Sequence, residues 1–231
     1  MNLDAAVESV LAARRRVPAR RAALVAVSGI DASGKGFVSR RMSTRLEDSG
    51  LRVALTGADG WLNLPPKRFA PANPAEHFYR HAFRFDEMFD RLILPLRDAR
   101  SIRLEADFTE ETATAYRPHL YAWEIVDVVL LEGIYLLRPE FLPEYDLTIW
   151  IDCTFDTAIE RAIARGQEGL SPDETVRAFR TIYLPAQEIH FARDNPKASA
   201  DLVLANDPRL EGGRAVGDSQ RSNQRIWYDT L

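Results

Sequence analysis

The chain has 231 residues, 46% of them hydrophobic and 28% charged, enough for a full core in one compact α/β domain with a small inserted lobe. A net charge of −4 argues against general binding to a nucleic-acid backbone, and the single cysteine, Cys153, excludes an internal disulfide. No apolar run reaches the length of a membrane span and the N-terminus lacks a signal-peptide core, so the expectation is a soluble, cytoplasmic protein with no nucleic-acid and no membrane partner.

In chain order, residues 3 to 16 have the period of an amphipathic helix, with Leu3, Val7, Val10 and Leu11 on one face. Arg14, Arg15 and Arg16 complement the negative end of its dipole, and Pro18 ends the pattern. Ala22 to Val27 is an apolar strand that runs into Gly29-Ile30-Asp31-Ala32-Ser33-Gly34-Lys35-Gly36. Glycines bracketing such a turn free successive N–H groups to point inward at anionic oxygens. The helix that follows adds its positive end, and Lys35 adds a mobile cation long enough to reach β- and γ-phosphates. Lys35 is one of only three lysines in a chain rich in arginine, which suits a position that needs a compact point charge. The expected nucleotide-binding residues are Gly29, Asp31, Ala32, Ser33, Gly34, Lys35, Gly36 and Phe37. Gly36 departs from the pattern, because a Ser or Thr hydroxyl normally ligates Mg²⁺ there; Phe37 and Val38 cannot replace it, and Ser39 lies one turn too far.

The helix after this cradle runs to Gly50, and Leu51 to Thr56 is a second strand that delivers Asp59-Gly60-Trp61 to its C-terminal end, where open α/β sheets bind ligands. Pro65, Pro66, Pro71 and Pro74 mark an excursion from the sheet, and Asn73-Pro74-Ala75-Glu76 has the form of a capped helix start with Glu76 reaching back. Phe78, Phe85, Met88, Phe89 and Leu92 are placed to pack along one following helix; Ser101 to Leu104 is a short strand and 106–120 an inserted lobe. Val126 to Leu131 is a buried strand ending in Glu132-Gly133, and Leu147 to Ile151 another ending in Asp152. A helix over 158–165 breaks at Gly166 to Gly169, and Ser171-Pro172-Asp173-Glu174 opens the next with a capping box. Tyr183 to Asp194 continues helically with a kink at Pro185, and Leu202 to Ala205 is a fifth strand. Strands alternating with helices predict a mainly parallel five-stranded sheet in a three-layer α/β/α arrangement. The tail from Glu211 is expected to be loose, with Ile226, Trp227 and Tyr228 able to dock.

Asp59 suits a base that takes the proton of an attacking hydroxyl, and an Asp-Gly pair equally suits an ordinary turn; the residue types leave both open. Glu132 projects from a strand end toward the phosphates, to hold Mg²⁺ directly or through water, or to hydrogen-bond the neighbouring loop. Arg161 and Arg165, four apart on one helical face, suit either a swing over polyphosphate or a solvated surface with Glu160 and Glu168. His77 and His81 have metal-pair spacing without a third ligand, which favours packing. His190 and Arg193-Asp194 lie on a helix placed to border the cleft, and Asn206-Asp207-Pro208 follows the last strand as a base contact.

The cradle Gly29 to Lys35, Asp59-Gly60-Trp61, Asp107-Phe108, Asp127 to Gly133 and the stretch Arg161 to Leu204, with its Tyr183-Leu184-Pro185 and Ala200 to Val203, resemble the uridine kinase-like group of P-loop kinases, related to phosphoribulokinase and pantothenate kinase. The likeness covers about residues 20 to 207 in order. It implies a P-loop kinase domain over 21–207 after an N-terminal helix (1–20), with a substrate lobe near 62–122, a lid near 161–175 and a tail over 208–231. It implies that Lys35 and the loop amides bind ATP, that Asp59 is the catalytic base, that Glu132 and Asp59 serve Mg²⁺, and that Arg161 and Arg165 belong to the lid. The acceptor would be a small-molecule hydroxyl, on a nucleoside of uridine or cytidine type or a sugar-like compound, and a homo-oligomer is compatible. Three departures alter the picture: Gly36, an Ala106 where the group has tyrosine before Asp107-Phe108, and the absence of the group's Phe-Asp-His-Pro segment. An ATP-binding regulator without phosphoryl transfer, and an ATPase coupled to a protein partner, are the alternatives.

Overall fold

A computed structural model of the chain describes residues 2–166 and 169–211. The tail beyond 211, with Ile226, Trp227 and Tyr228, lies outside the described residues, as do Gln167 and Glu168.

Helix α1 (Leu3–Arg16) starts where the Asn2 side chain accepts the Ala5 N–H at 3.1 Å, and it buries Leu3, Ala6, Val7, Val10 and Ala13. Leu11, expected on that face, is only half-buried. Strand β1 (Ala23–Gly29), fully buried, leads through the cradle into α2 (Lys35–Asp48), and β2 (Val53–Gly57) follows. The excursion then forms α3 (Pro65–Arg68), α4 (Pro74–His81), α5 (Phe85–Met88), a π-turn over Phe89–Ile93, α6 (Leu94–Ala99), and strands β3 (Ile102–Phe108) and β4 (Arg117–Trp123). Next come β5 (Val128–Gly133), β6 (Leu147–Asp152), α7 (Phe155–Arg165), α8 (Pro172–Ala178), a π-turn over Phe179–Tyr183, α9 (Leu184–Asp194), β7 (Leu202–Ala205) and α10 (Pro208–Glu211).

The five-stranded sheet has the order β2-β5-β1-β6-β7, and every pairing in it is parallel. Its strands are near-continuous apolar runs because both faces are covered. Alternate residues serve alternate layers: Ala23, Val25 and Val27 of β1 pack with Val10 of α1 and Val38, Met42 and Leu46 of α2, while Leu24 and Ala26 pack with Trp150 and the helices of the other face. Each fully buried Leu or Met here contributes roughly 1.5–3 kcal/mol.

Three sequence expectations need correction. Asn73 precedes α4 in a left-handed conformation (φ 48°) and caps nothing with its side chain, and Glu76 pairs with Arg80 and Arg193 instead of reaching back. The helix expected through Phe78 to Leu92 breaks at 82–84, because that stretch pairs with 61–63: Asn63 N donates to Ala82 O, and Arg84 N to Trp61 O, each at 2.8 Å. The segment 106–120 contains most of an antiparallel ribbon, β3 with β4, that extends to Ile102 and Trp123. As expected, the helix runs on past Pro185, which follows the π-turn in the first turn of α9; Pro95 holds the same place in α6. The capping box at Ser171 forms as expected.

Candidate active site

The cradle leaves the central strand of the sheet and turns through two left-handed residues, Ala32 (φ 54°) and Gly34 (φ 87°), before α2 begins at Lys35. Only glycine fits at 34: its φ is unfavourable to side chains, and a Cβ would run into Asn206 Nδ2. That amide donates to Ser33 O at 2.8 Å, and Arg161 Nη1 donates to the same oxygen at 3.1 Å. Asn206 is fixed in turn by Asp207, whose carboxylate accepts from Thr154 N (2.7 Å), Thr154 Oγ1 (2.6 Å), Thr157 Oγ1 (2.8 Å) and Arg209 N (2.8 Å). Burial alone would raise the Asp207 pKa, but these hydrogen bonds outweigh it and hold the carboxyl well below the ordinary range. Arg161 lines the cleft beside the cradle, where it holds Ser33 O and makes a further contact to Cys153 Sγ at 3.6 Å. Arg165, one turn on, stays half-exposed, 3.9 Å from Asp31.

The cradle forms one wall of a cleft of about 550 Å³. Asp31, Ala32, Gly34, Lys35, Gly36 and Phe37 line it, whereas Gly29 and the buried Ser33 lie beneath the loop. Lys35 is 8% exposed, its Nζ 3.4 Å from Ile30 O. Facing it are two carboxylates, placed by strand register. Glu132 sits in β5 between Val27 of β1 and Gly57 of β2, and Asp59 follows Gly57 in a single 3₁₀ turn, Ala58–Trp61. That turn is anchored by Trp61, which is fully buried and stacked on Tyr121. Asp59 is exposed on the cleft, yet protein surrounds it closely enough that desolvation raises its pKa against the opposing charge of Lys35. Desolvation likewise pushes Glu132 up to about 7, again opposed by Lys35 and reinforced by Asp59. Ser39 is buried in α2 and does not line the cleft.

The opposite wall is aromatic. Phe69 stacks on Phe78 (5.7 Å), Phe78 meets Tyr183 edge-on (5.1 Å), and Phe83 lies beside them on the cleft. Arg68, 4% exposed, lies over Phe69 and donates to Glu111 O at 2.5 Å. Sequence reading did not single out Arg68, Phe69, Phe83 or Glu111; the aromatic density of the proline-rich stretch was the available signal. His77 and His81 pack against each other at 4.6 Å, and among the described residues no group of three or more His, Cys, Asp or Glu is arranged for a metal. His190 lies off the cleft: Asp194 Oδ2 takes hydrogen bonds from Tyr79 Oη and His190 Nδ1, each at 2.5 Å, and so ties α4 to α9.

A parallel sheet whose central strand feeds this cradle, with helices on both faces and strand-end carboxylates opposite the cradle lysine, defines a three-layer α/β/α fold. Two solved structures share it at a TM-score of 0.68. One is a candidate uridine kinase from Bacillus stearothermophilus, 18% identical, the match covering 88% of this chain and 100% of that one. The other is a candidate fructose transport system kinase from Silicibacter sp. TM1040, 23% identical, covering 88% and 99%. Among curated proteins, thymidylate kinase from Xanthomonas oryzae pv. oryzae is 26% identical over 218 residues, 86% of this chain and 91% of that protein. A tRNA-specific adenosine deaminase subunit from Schizosaccharomyces pombe is 33% identical over 88 residues; the match spans 36% of this chain and 22% of that protein. No family model matches the chain. Among the described residues no helix is long and apolar enough to cross a membrane.

Proposed function

We propose that the protein is a small-molecule kinase that transfers the γ-phosphate of ATP to a hydroxyl of a nucleoside or other sugar-like acceptor. The observation that carries this reading is the convergence of Lys35, Asp59 and Glu132 on one cleft beneath the cradle amides. The kinase descriptions of the structural neighbours and of the thymidylate kinase relative support it.

In this reading the cradle N–H groups and Lys35 hold the phosphates, with Arg165 at the rim. Asp59 accepts the acceptor's hydroxyl proton as that oxygen bonds to the γ-phosphorus. The bond from phosphorus to the bridging oxygen breaks, and ADP leaves. Desolvation by the surrounding cleft raises the pKa of Asp59 and with it the basicity of the carboxylate. Two partly desolvated carboxylates beside a phosphate cradle fit Mg²⁺, which is commonly held by one or two carboxylates together with substrate phosphates. Glu132, with Asp59, would hold the ion, which when bound neutralises charge on the β- and γ-phosphates. Arg161 acts by fixing Ser33 O, which keeps the cradle amides turned toward the cleft.

ADP release from purified protein with ATP and Mg²⁺, with and without pooled nucleosides, sugars, pantothenate and glycerate, tests the proposal. Acceptor-dependent release lost in Lys35→Ala is the expected result. Tight ATP binding with no release in any pool would replace this reading with that of a nucleotide-binding regulator, which the missing hydroxyl at Gly36 favours.

A further inference from the structure

Gly36 removes the side chain that completes the usual cradle, and the structure shows what faces the vacated space. A Cβ built at Gly36 would lie 3.6 Å from Arg40 Nη1 and 3.7 and 3.8 Å from the two carboxylate oxygens of Glu132. These are ordinary contact distances, and Gly36 lies in the first turn of α2, so neither strain nor crowding requires glycine here. Arg40, one turn further along α2, is exposed and lines the same cleft as Lys35 and Glu132. Most other arginines around the cleft are engaged: Arg161 with Ser33 O, Arg68 with Glu111 O, and Arg165 near Asp31. Among the described residues the Arg40 guanidinium forms no hydrogen bond and no ion pair within 4.0 Å. Its charge faces Glu132 across Gly36 without an ion pair, and a permanently charged fork with free N–H donors on this cleft is matched to an anionic ligand.

Resting on the reading of the cleft as a nucleotide phosphate site, we propose that Arg40 replaces the missing cradle hydroxyl, its guanidinium reaching across the bare face of Gly36 to the β- and γ-phosphate oxygens. A hydroxyl acts on phosphate through the ion that it ligates, whereas a guanidinium supplies charge and N–H donors directly. Gly36 and Arg40 therefore work as a pair: glycine leaves the path open and arginine uses it. The consequence is that this protein holds nucleotide with less dependence on divalent metal than a cradle with Ser or Thr at this position.

The test is a double-mutant cycle on the full chain with Arg40→Met, which keeps the apolar stem, and Gly36→Ser, which restores the hydroxyl. The first readout is the Kd for ATP by calorimetry in EDTA, and the second is the same titration with Mg²⁺. Arg40→Met should weaken metal-free ATP binding by about 10- to 100-fold, the range of a lost charge-assisted hydrogen bond. Adding Gly36→Ser to Arg40→Met should recover affinity with Mg²⁺ and leave the metal-free affinity weak. Metal-free binding by Arg40→Met within about twofold of the parent protein would overturn the proposal, as would recovery by the double variant without Mg²⁺. Failure of the parent protein to bind ATP in either condition would overturn the phosphate-site reading itself. Arg40 is exposed, and circular dichroism of each variant separates lost binding from lost fold.

Discussion

On the cradle wall of the cleft, polar contacts from behind hold a short contiguous stretch of backbone, whereas on the opposite wall aromatic rings from separate segments hold one another. Ser33 O is fixed by Asn206 and Arg161, and Asn206 is fixed by the capping carboxylate of Asp207. Phe69, Phe78 and Tyr183 meet only because α3, α4 and the π-turn before α9 pack together. The polar wall has directional partners and one geometry, as phosphate binding needs. The aromatic wall has shape and apolar area, which tolerate exchange of side chains and therefore of ligands. The cleft thus has one wall of fixed geometry beside one that is adaptable.

The largest expected effect lies on the polar wall. Lys35→Ala should lower turnover by roughly a thousandfold or more and weaken ATP binding, measured by ADP release and calorimetry, because among the described residues no other ammonium lines the cleft. Asp59→Asn should lower turnover by about 10²- to 10⁴-fold while ATP affinity stays within about twofold. Near-normal turnover in that variant would remove Asp59 from the base role. Without divalent metal, the Asp59 carboxyl should titrate above the ordinary carboxylate range, read by NMR, because desolvation raises its pKa.

The support behind the cradle predicts a stability effect. Asp207→Asn should cost about 1.5–3 kcal/mol at pH 7, read from chemical denaturation, because the carboxylate's hydrogen bonds are charge-assisted. The folded pKa of Asp207 is depressed, so its contribution is complete above the unfolded value of about 3.9 and fades as pH falls toward the folded one. The gap between parent and variant should therefore be full at neutral pH and narrow below about pH 4. The smallest effect belongs to the aromatic wall. Phe78→Leu keeps apolar volume and should raise the acceptor KM several-fold with the ATP KM unchanged, at a stability cost of about 1.5 kcal/mol or less. A comparable rise in both constants would show that the two walls are not separable.

What the sequence disclosed follows the same division. The strand, cradle and first helix are contiguous, so glycine spacing, the apolar run and Lys35 sufficed to place them, as did Asp59 and Glu132 at strand ends. Asn206 meets Ser33 across 173 residues, and no local pattern announces that contact. Arg161 has the spacing of a mobile pair with Arg165, and only the folded chain reveals that it is held. The strand expected over 101–104 is the first part of β3, but its partner β4 was not legible, because Pro118 stands near its start and the long connection lacks a tight-turn dipeptide. The break after α4 is likewise tertiary: pairing of 61–63 with 82–84 outcompetes helix propagation.

The most direct test of the account is the fate of the γ-phosphate in a single turnover with labelled ATP and the acceptor found in the pooled screen. Transfer by the Lys35, Asp59 and Glu132 cleft predicts label on the acceptor in step with ADP, and none there in Asp59→Asn. Label appearing as inorganic phosphate at the same rate with and without acceptor would contradict transfer and identify an ATPase.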